Sequence, residues 1–160
     1  MSIIRQIVDS IADTLRAHDY FRTVPLIPVV VEDAKNIDSE IERAMKSAGV
    51  MCLVNFVGAE TDTPDTPGPQ LTQSRFQVTV SEIPSVWRQS RAGYVPSCTE
   101  IAEAVLRIIH HTQPFDKEDV ALTGGVFIFD GMSQLANDSM LTQAVSFVIP
   151  IQLSNTDPTR

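Results

Sequence analysis

Little in this chain could build a covalent, redox or metal framework: it has two cysteines, Cys52 and Cys98, three histidines and one tryptophan in 160 residues. Nor are there long hydrophobic runs. The longest wholly apolar stretch, Val50 to Val54, falls far short of the ~20 residues that cross a bilayer, so no membrane association is expected. Positive charge is scarce as well, with 12 Lys and Arg against 20 Asp and Glu and a formal net charge of −8. Because each phosphate contact needs a Lys or Arg, general affinity for nucleic acid or anionic lipid is disfavoured. Catalytic spacing is missing too. There is no phosphate loop ending in Gly-Lys-Ser/Thr, no dinucleotide glycine fingerprint, no nucleophile elbow and no pair of cysteines two apart. No cofactor, metal ion or enzymatic activity is therefore expected. The first residues, Met1-Ser2-Ile3-Ile4-Arg5, lack the basic and apolar regions of a signal peptide, which with two cysteines predicts a soluble protein in a reducing compartment.

What is present is enough for one ordinary domain, 43% hydrophobic and 20% charged. The acidity is uneven: residues 1–74 carry six basic against eleven acidic residues, 75–117 carry five against four, and 118–160 carry only Arg160 against five. Ile3, Ile4, Ile7, Val8, Ile11 and Leu15 recur at helical spacing and predict a helix over about 2–18. Leu26 to Val31 is short and β-branched, and Pro28 near its start marks an edge. Ile37, Ile41, Ala44, Met45 and Ala48 predict a second helix over about 37–48, closed by Gly49. Val50 to Val57 is apolar on both parities, which suits a strand covered on both faces and predicts the centre of a sheet.

Gly58 to Ser74 has prolines and acids without periodicity and reads as a long binding loop. Arg75 to Ile83 then alternates, with Phe76, Val78 and Val80 on one face and Gln77, Thr79 and Ser81 on the other. Ser97 and Glu100 form a capping-box pattern at the head of a helix over about 98–111, with Ile101, Val105, Ile108 and Ile109 on its buried face. Gly125 to Asp130 and Val145 to Leu153 read as two more strands, joined by an extended polar connection from Met132 to Thr142. The expected fold class is α+β: a single domain over 1–153, with a mainly antiparallel sheet of four to five strands and helices packed on one face, then a polar tail over 154–160.

Candidate functional residues are those of an interface. Arg75, Arg88 and Arg91 with Trp87 and Tyr94 interleaved make a basic-aromatic strip, and such residues are enriched where proteins meet. The polar row of Gln77 and Thr79 could pack against a neighbour, and Asp62 and Asp65 stand in the long loop. Cys52 reads as a small buried hydrophobe, Cys98 as a helix-start residue, and His110-His111 as cations at a helix C-terminus. Asp130-Gly131 reads as a turn pair; a small enzyme using Asp130, or a cytoplasmic adaptor gripping a partner through the strip and loop, are the lesser alternatives.

The N-terminal amphipathic helix, the Phe76-Gln77-Val78-Thr79-Val80 strand, the Ser97 to His111 helix and the closing segments Gly124 to Phe129 and Ala144 to Leu153 are, in order and spacing, similar to the small tail-terminator proteins of tailed bacteriophages and related contractile particles. The resemblance spans about residues 1–153, and small neck and tail-completion proteins share its texture. It implies a non-enzymatic ring, usually a hexamer, that caps the tail tube, stops its polymerisation and offers a joining surface to the head. The implied partners are further copies of the chain, the tail tube protein and a head-side connector or neck protein, with DNA only as a passenger through the lumen. The implied location is the virion, after assembly in the host cytoplasm.

Overall fold

The structure is a computed structural model and describes residues 2–23, 26–32, 34–61, 70–89, 93–137 and 139–153. Ten elements follow one another: α1 (Ile3–Ala17), α2 (Asp19–Arg22), β1 (Val29–Val31), α3 (Ile37–Ser47), β2 (Val50–Thr61), β3 (Gln70–Glu82), α4 (Pro84–Trp87), α5 (Cys98–Ile109), β4 (Ile128–Ala136) and β5 (Leu141–Leu153). The five strands form one sheet in the order β1-β2-β3-β5-β4. Every pair is antiparallel except β1 with β2, which is parallel because α3 carries the chain from one to the other as a crossover. This is the α+β, mainly antiparallel fold expected.

The core lies between one face of the sheet and α1 with α5. Ile7, Val8, Ile11, Ala12 and Leu15 of α1 and Cys98, Ile101, Ala102, Val105 and Ile109 of α5 are buried against Val50, Cys52, Val54, Phe76, Val78, Val80, Val145, Phe147, Ile149 and Ile151. Period-two alternation in the strands and helical spacing in α1 and α5 thus meet across a single layer. Ile108 is only half-buried at the margin, while Cys98 and Ala102 occupy deep positions. An aromatic row spans the sheet, with ring centroids of Phe56 and Phe76 at 5.3 Å, Phe76 and Phe127 at 6.2 Å, and Phe127 and Phe147 at 6.4 Å. The last two are edge-to-face, and such pairs add about 0.5–1.5 kcal/mol each beyond the area they bury. On the other face α3 covers one corner, where Val30, Ala44 and Met51 are buried outside the main cluster.

Three expectations are corrected. The central strand is β3, not β2: β2 is covered on both faces only over its first residues, and its distal half, from Val57, opens to solvent. Much of the supposed loop 58–74 is strand, since β2 runs to Thr61 and β3 begins at Gln70; the loop's remaining residues, 62–69, lie outside the described residues, as does the tail 154–160. Its polar sequence hid a ladder in which buried Thr72 and Ser74 satisfy one another at 3.0 Å and Thr72 reaches the Ile151 carbonyl at 3.2 Å. Likewise β4 extends through Ala136 where a polar connection was expected, and Gly131, at φ 129°, takes up a bulge against β5 that few other residues tolerate. The link to β5 is a short turn, in which the Asn137 side chain accepts the amides of Ser139 and Met140 at 3.1 and 2.8 Å.

Gly49 ends α3 in the left-handed region at φ 77°, and a Cβ there would stand 2.6 Å from the Trp87 amide nitrogen and 2.7 Å from the Val86 side chain. The Gly49→Ala variant should therefore lose about 2–4 kcal/mol, from backbone strain and overpacking together, measured by chemical denaturation.

Candidate interaction surface

The outward row of β3 carries Leu71, Gln73, Arg75, Gln77 and Thr79 on the sheet face away from α1 and α5. Leu71, Gln73 and Arg75 are exposed and Gln77 and Thr79 half-buried, whereas Ser81 is buried towards the α3 corner. Two cross-strand contacts order this row. Arg75 reaches over β5 to Asp130 of β4, its Nε 2.9 Å and its Nη2 2.7 Å from Oδ2. The Gln77 amide donates to the Ser146 hydroxyl at 3.4 Å. At 44% and 36% side-chain exposure the Arg75–Asp130 pair contributes about 1 kcal/mol at most, so its effect is to hold an otherwise mobile guanidinium flat on the sheet. Asn55 of β2 lies beside Gln77, and its Oδ1 is buried without a hydrogen-bond partner among the described residues. A shallow depression of about 220 Å³ between Val57, Gly58, Arg75 and Val148 completes the face.

The basic-aromatic strip is not a strip. Trp87 is completely buried in the main core, and its indole Nε1 donates to the Pro96 carbonyl at 2.8 Å, so it is a packing residue rather than an exposed anchor. Arg88 turns inward to Glu82, whose side chain is fully buried: Nε is 2.5 Å from Oε1 and Nη2 3.1 Å from Oε2. The second carboxylate oxygen of Glu82 also accepts the Cys98 amide at 2.9 Å, which satisfies a free donor at the head of α5. Glu82 was not singled out in the sequence, because nothing in Ser81-Glu82-Ile83 shows that an acid at a strand end meets the first turn of a later helix. Arg91, Asp62 and Asp65 lie outside the described residues.

The capping box stands as expected, with the Glu100 amide donating to Ser97 Oγ at 3.3 Å and the Ser97 amide to Glu100 Oε2 at 2.8 Å. Tyr94 also donates its hydroxyl to Glu100, and this bond, with that from Ser97, holds the carboxylate below its ordinary range. His110 Nδ1 accepts the Phe129 amide at 3.1 Å and its ring stacks on His111 at 3.8 Å, so this histidine, at the C-terminal end of α5, also joins that helix to β4.

Two grooves border α1. One, of about 650 Å³, lies between α1 and the segment 113–119 and is lined by Asp9, Asp13, Asp116, Glu118 and Asp119. Three of these acids are committed within the chain: Asp9 to Arg5 at 3.1 Å, Asp13 to Arg16 at 3.4 Å, and Asp116 to the amides of Glu118 and Val120 at 2.8 and 2.9 Å. The other, of about 800 Å³, runs between the α1–α2 corner and α5, past Tyr20, Tyr94 and Arg107. Among the described residues no cluster of His, Cys, Asp and Glu is arranged to hold a metal ion, and no helix is long and apolar enough to cross a membrane.

The arrangement is that of a one-domain α+β protein with one helix-covered and one largely open sheet face. No family model matches the chain, and no curated protein matches it in sequence. Solved structures do match in fold. A component of the virion of a native gene transfer agent particle aligns over 95% of this chain and 98% of its own length, with a TM-score of 0.59 at 13% identity. A second solved protein, without a descriptive name, aligns over 96% and 97%, with a TM-score of 0.51 at 17% identity.

Removing Arg88 leaves the buried Glu82 carboxylate without its countercharge, so Arg88→Ala should cost about 3–5 kcal/mol, towards the lower value because the Cys98 amide still donates. The buried thiols give a second expectation. Burial and the nearby Glu82 push the Cys98 thiol up to about 11 from an ordinary 9.0, and burial pushes Cys52 up as well. Burial also raises the Tyr20 phenol from 10.0 to about 12. A raised folded-state value means that the folded chain binds more protons than the unfolded one at alkaline pH, so stability is full below about pH 9 and falls as pH rises towards 11–12. Unfolding free energies should hold level up to about pH 9 and decline from there to pH 11, and neither thiol should react with a disulfide reagent at neutral pH unless the protein is unfolded.

Proposed function

We propose that this chain is a structural protein of a phage-like virion and, within it, the tail terminator: several copies close into a ring on the end of the tail tube, stop its growth and offer a surface to the head. The observation that carries this reading is the end-to-end agreement in fold with a component of the virion of a gene transfer agent particle, with almost nothing left over on either chain. The hexameric ring is the stoichiometry proposed.

The molecule's physical character supports the same reading. Its committed polar groups hold the fold together: the buried Glu82 ties two elements, Arg75 is held by Asp130, and three carboxylates of the acidic groove are already bonded within the chain. An assembly protein works by presenting such fixed surfaces. The formal charge of −8 on each copy disfavours retention of DNA, which suits a lumen through which DNA must pass without sticking. The partners on this reading are other copies of the chain, the tail tube protein and a head-side connector, and the place of action is the tail or neck of the virion after assembly in the host cytoplasm.

Particles produced without this protein should carry tails of uncontrolled length, seen by negative stain, and the purified protein should form rings at one end of isolated tail tubes. Tails of normal length that fail to join heads would instead identify a neck-completion protein. A strictly monomeric chain that never associates with tails would overturn both.

A further inference from the structure

We propose that copies of this chain join edge to edge through their sheets, the free half of β4 in one copy pairing antiparallel with the free edge of β2 in the next. The proposal rests on the ring reading for its occupant, a second copy of the chain, and on the two sheet edges for its geometry.

The outer side of β4 is occupied only at its beginning. There the amide of His111 donates to the Phe127 carbonyl at 2.8 Å, the amide of Phe127 to the Thr112 carbonyl at 2.9 Å, and the amide of Phe129 to His110 Nδ1 at 3.1 Å. Past the bulge at Gly131 the cover ends. Met132 to Ala136 pairs with β5 on one side and, among the described residues, with nothing on the other. The whole segment is exposed, Leu135 at 72% and Met132 at 37%. Sheet proteins ordinarily protect such an edge with charge or proline, yet Met132-Ser133-Gln134-Leu135-Ala136 contains neither.

The opposite end of the sheet has a matching gap. β1 pairs with β2 only over Cys52–Val54, and the Glu32 amide closes that ladder on the Val54 carbonyl at 3.1 Å. Phe56 to Glu60 then has no neighbour on that side among the described residues. Val57 is 50% exposed, and a Cβ on Gly58 would meet nothing within 4 Å. This segment lacks proline and carries one charge, Glu60, at its far end, with a bulge at Val57.

Direction decides which edges fit. β2 is antiparallel to β3, β3 to β5 and β5 to β4, so β4 runs opposite to β2. Along the strands Met132–Ala136 lies level with Val50–Val54, so a second copy in the same orientation, displaced along the strands until its Phe56–Glu60 comes level with Met132–Ala136, brings its β2 edge alongside β4 as an antiparallel pair of equal length. Because the surfaces joined are different, the contact is head-to-tail and leaves one free edge at each end, so successive copies close into a ring when the rotation between them completes a full turn. Pairing β4 with β4 would instead stop at a dimer and leave both β2 edges open.

Two measurements test this. Leu135→Lys places a charge on the edge at a side chain too exposed to matter for the isolated fold; the melting curve should be unchanged, while the concentration needed for ring formation, by native mass spectrometry with tail tubes present, should rise about tenfold or more. Separately, Ser133→Cys and Ala59→Cys chains are treated with a short bifunctional thiol reagent, the native Cys52 and Cys98 being buried. Cross-links should form when the two variants are mixed and not with either alone. Linking of Ser133→Cys to itself, a ring without mixed cross-links, or a ring undisturbed by Leu135→Lys would overturn the edge pairing and leave the ring reading standing. A chain monomeric under every condition would overturn both.

Discussion

The rest of the structure depends on the pairing of β3 with β5, an uninterrupted antiparallel ladder from Gln70 opposite Leu153 to Glu82 opposite Leu141. Each strand contributes every second side chain to the same face, so register alone sets which residues are buried. A slip of one position would exchange Phe76, Val78 and Val80 for Gln77, Thr79 and Ser81 and remove the surface on which α1 and α5 pack. The ladder thus places the helices, and the helices leave the opposite face open. At its upper end Glu82 makes the junction more specific. One buried carboxylate joins the last residue of β3, the guanidinium after α4 and the first amide of α5, which fixes where the chain returns to the core.

The same constraint shapes the surface. Where helices cover the sheet, polar groups at the margins are paired within the chain, as with Trp87 on Pro96 and His110 on Phe129. Where the sheet outruns its helices, in the distal halves of β2 and β4, side chains are exposed on both faces and, among the described residues, the backbone has partners on one side only. Surfaces of this second kind are ones on which a further strand can still pair.

Much of the architecture was legible in the sequence for a simple reason: burial writes periodicity. Helices α1, α3 and α5, the inward row of β3 and the Ser97–Glu100 capping box each carry apolar or polar residues at spacings that only one local structure satisfies. The distal parts of β2 and β4 were missed because strands exposed on both faces show no alternation, and their existence follows from pairing with β3 and β5. Thr72 and Ser74 misled for the converse reason. They are buried yet polar, and their hydroxyls find partners only once the sheet has formed.

The candidate surface divides in the same way. The sequence by itself determined the class of fold, the scarcity of cations and the polar outward row through Gln77 and Thr79, since these follow from composition and from spacing along one strand. Only the tertiary structure decided that Trp87 is core, that Arg88 serves a buried acid, that Arg75 is held by Asp130, and that two stretches of sheet edge have no partner among the described residues. Each of those depends on how separate elements pack against one another, and the spacing of residues along one element carries no information about which partner a side chain or a strand edge on it will find.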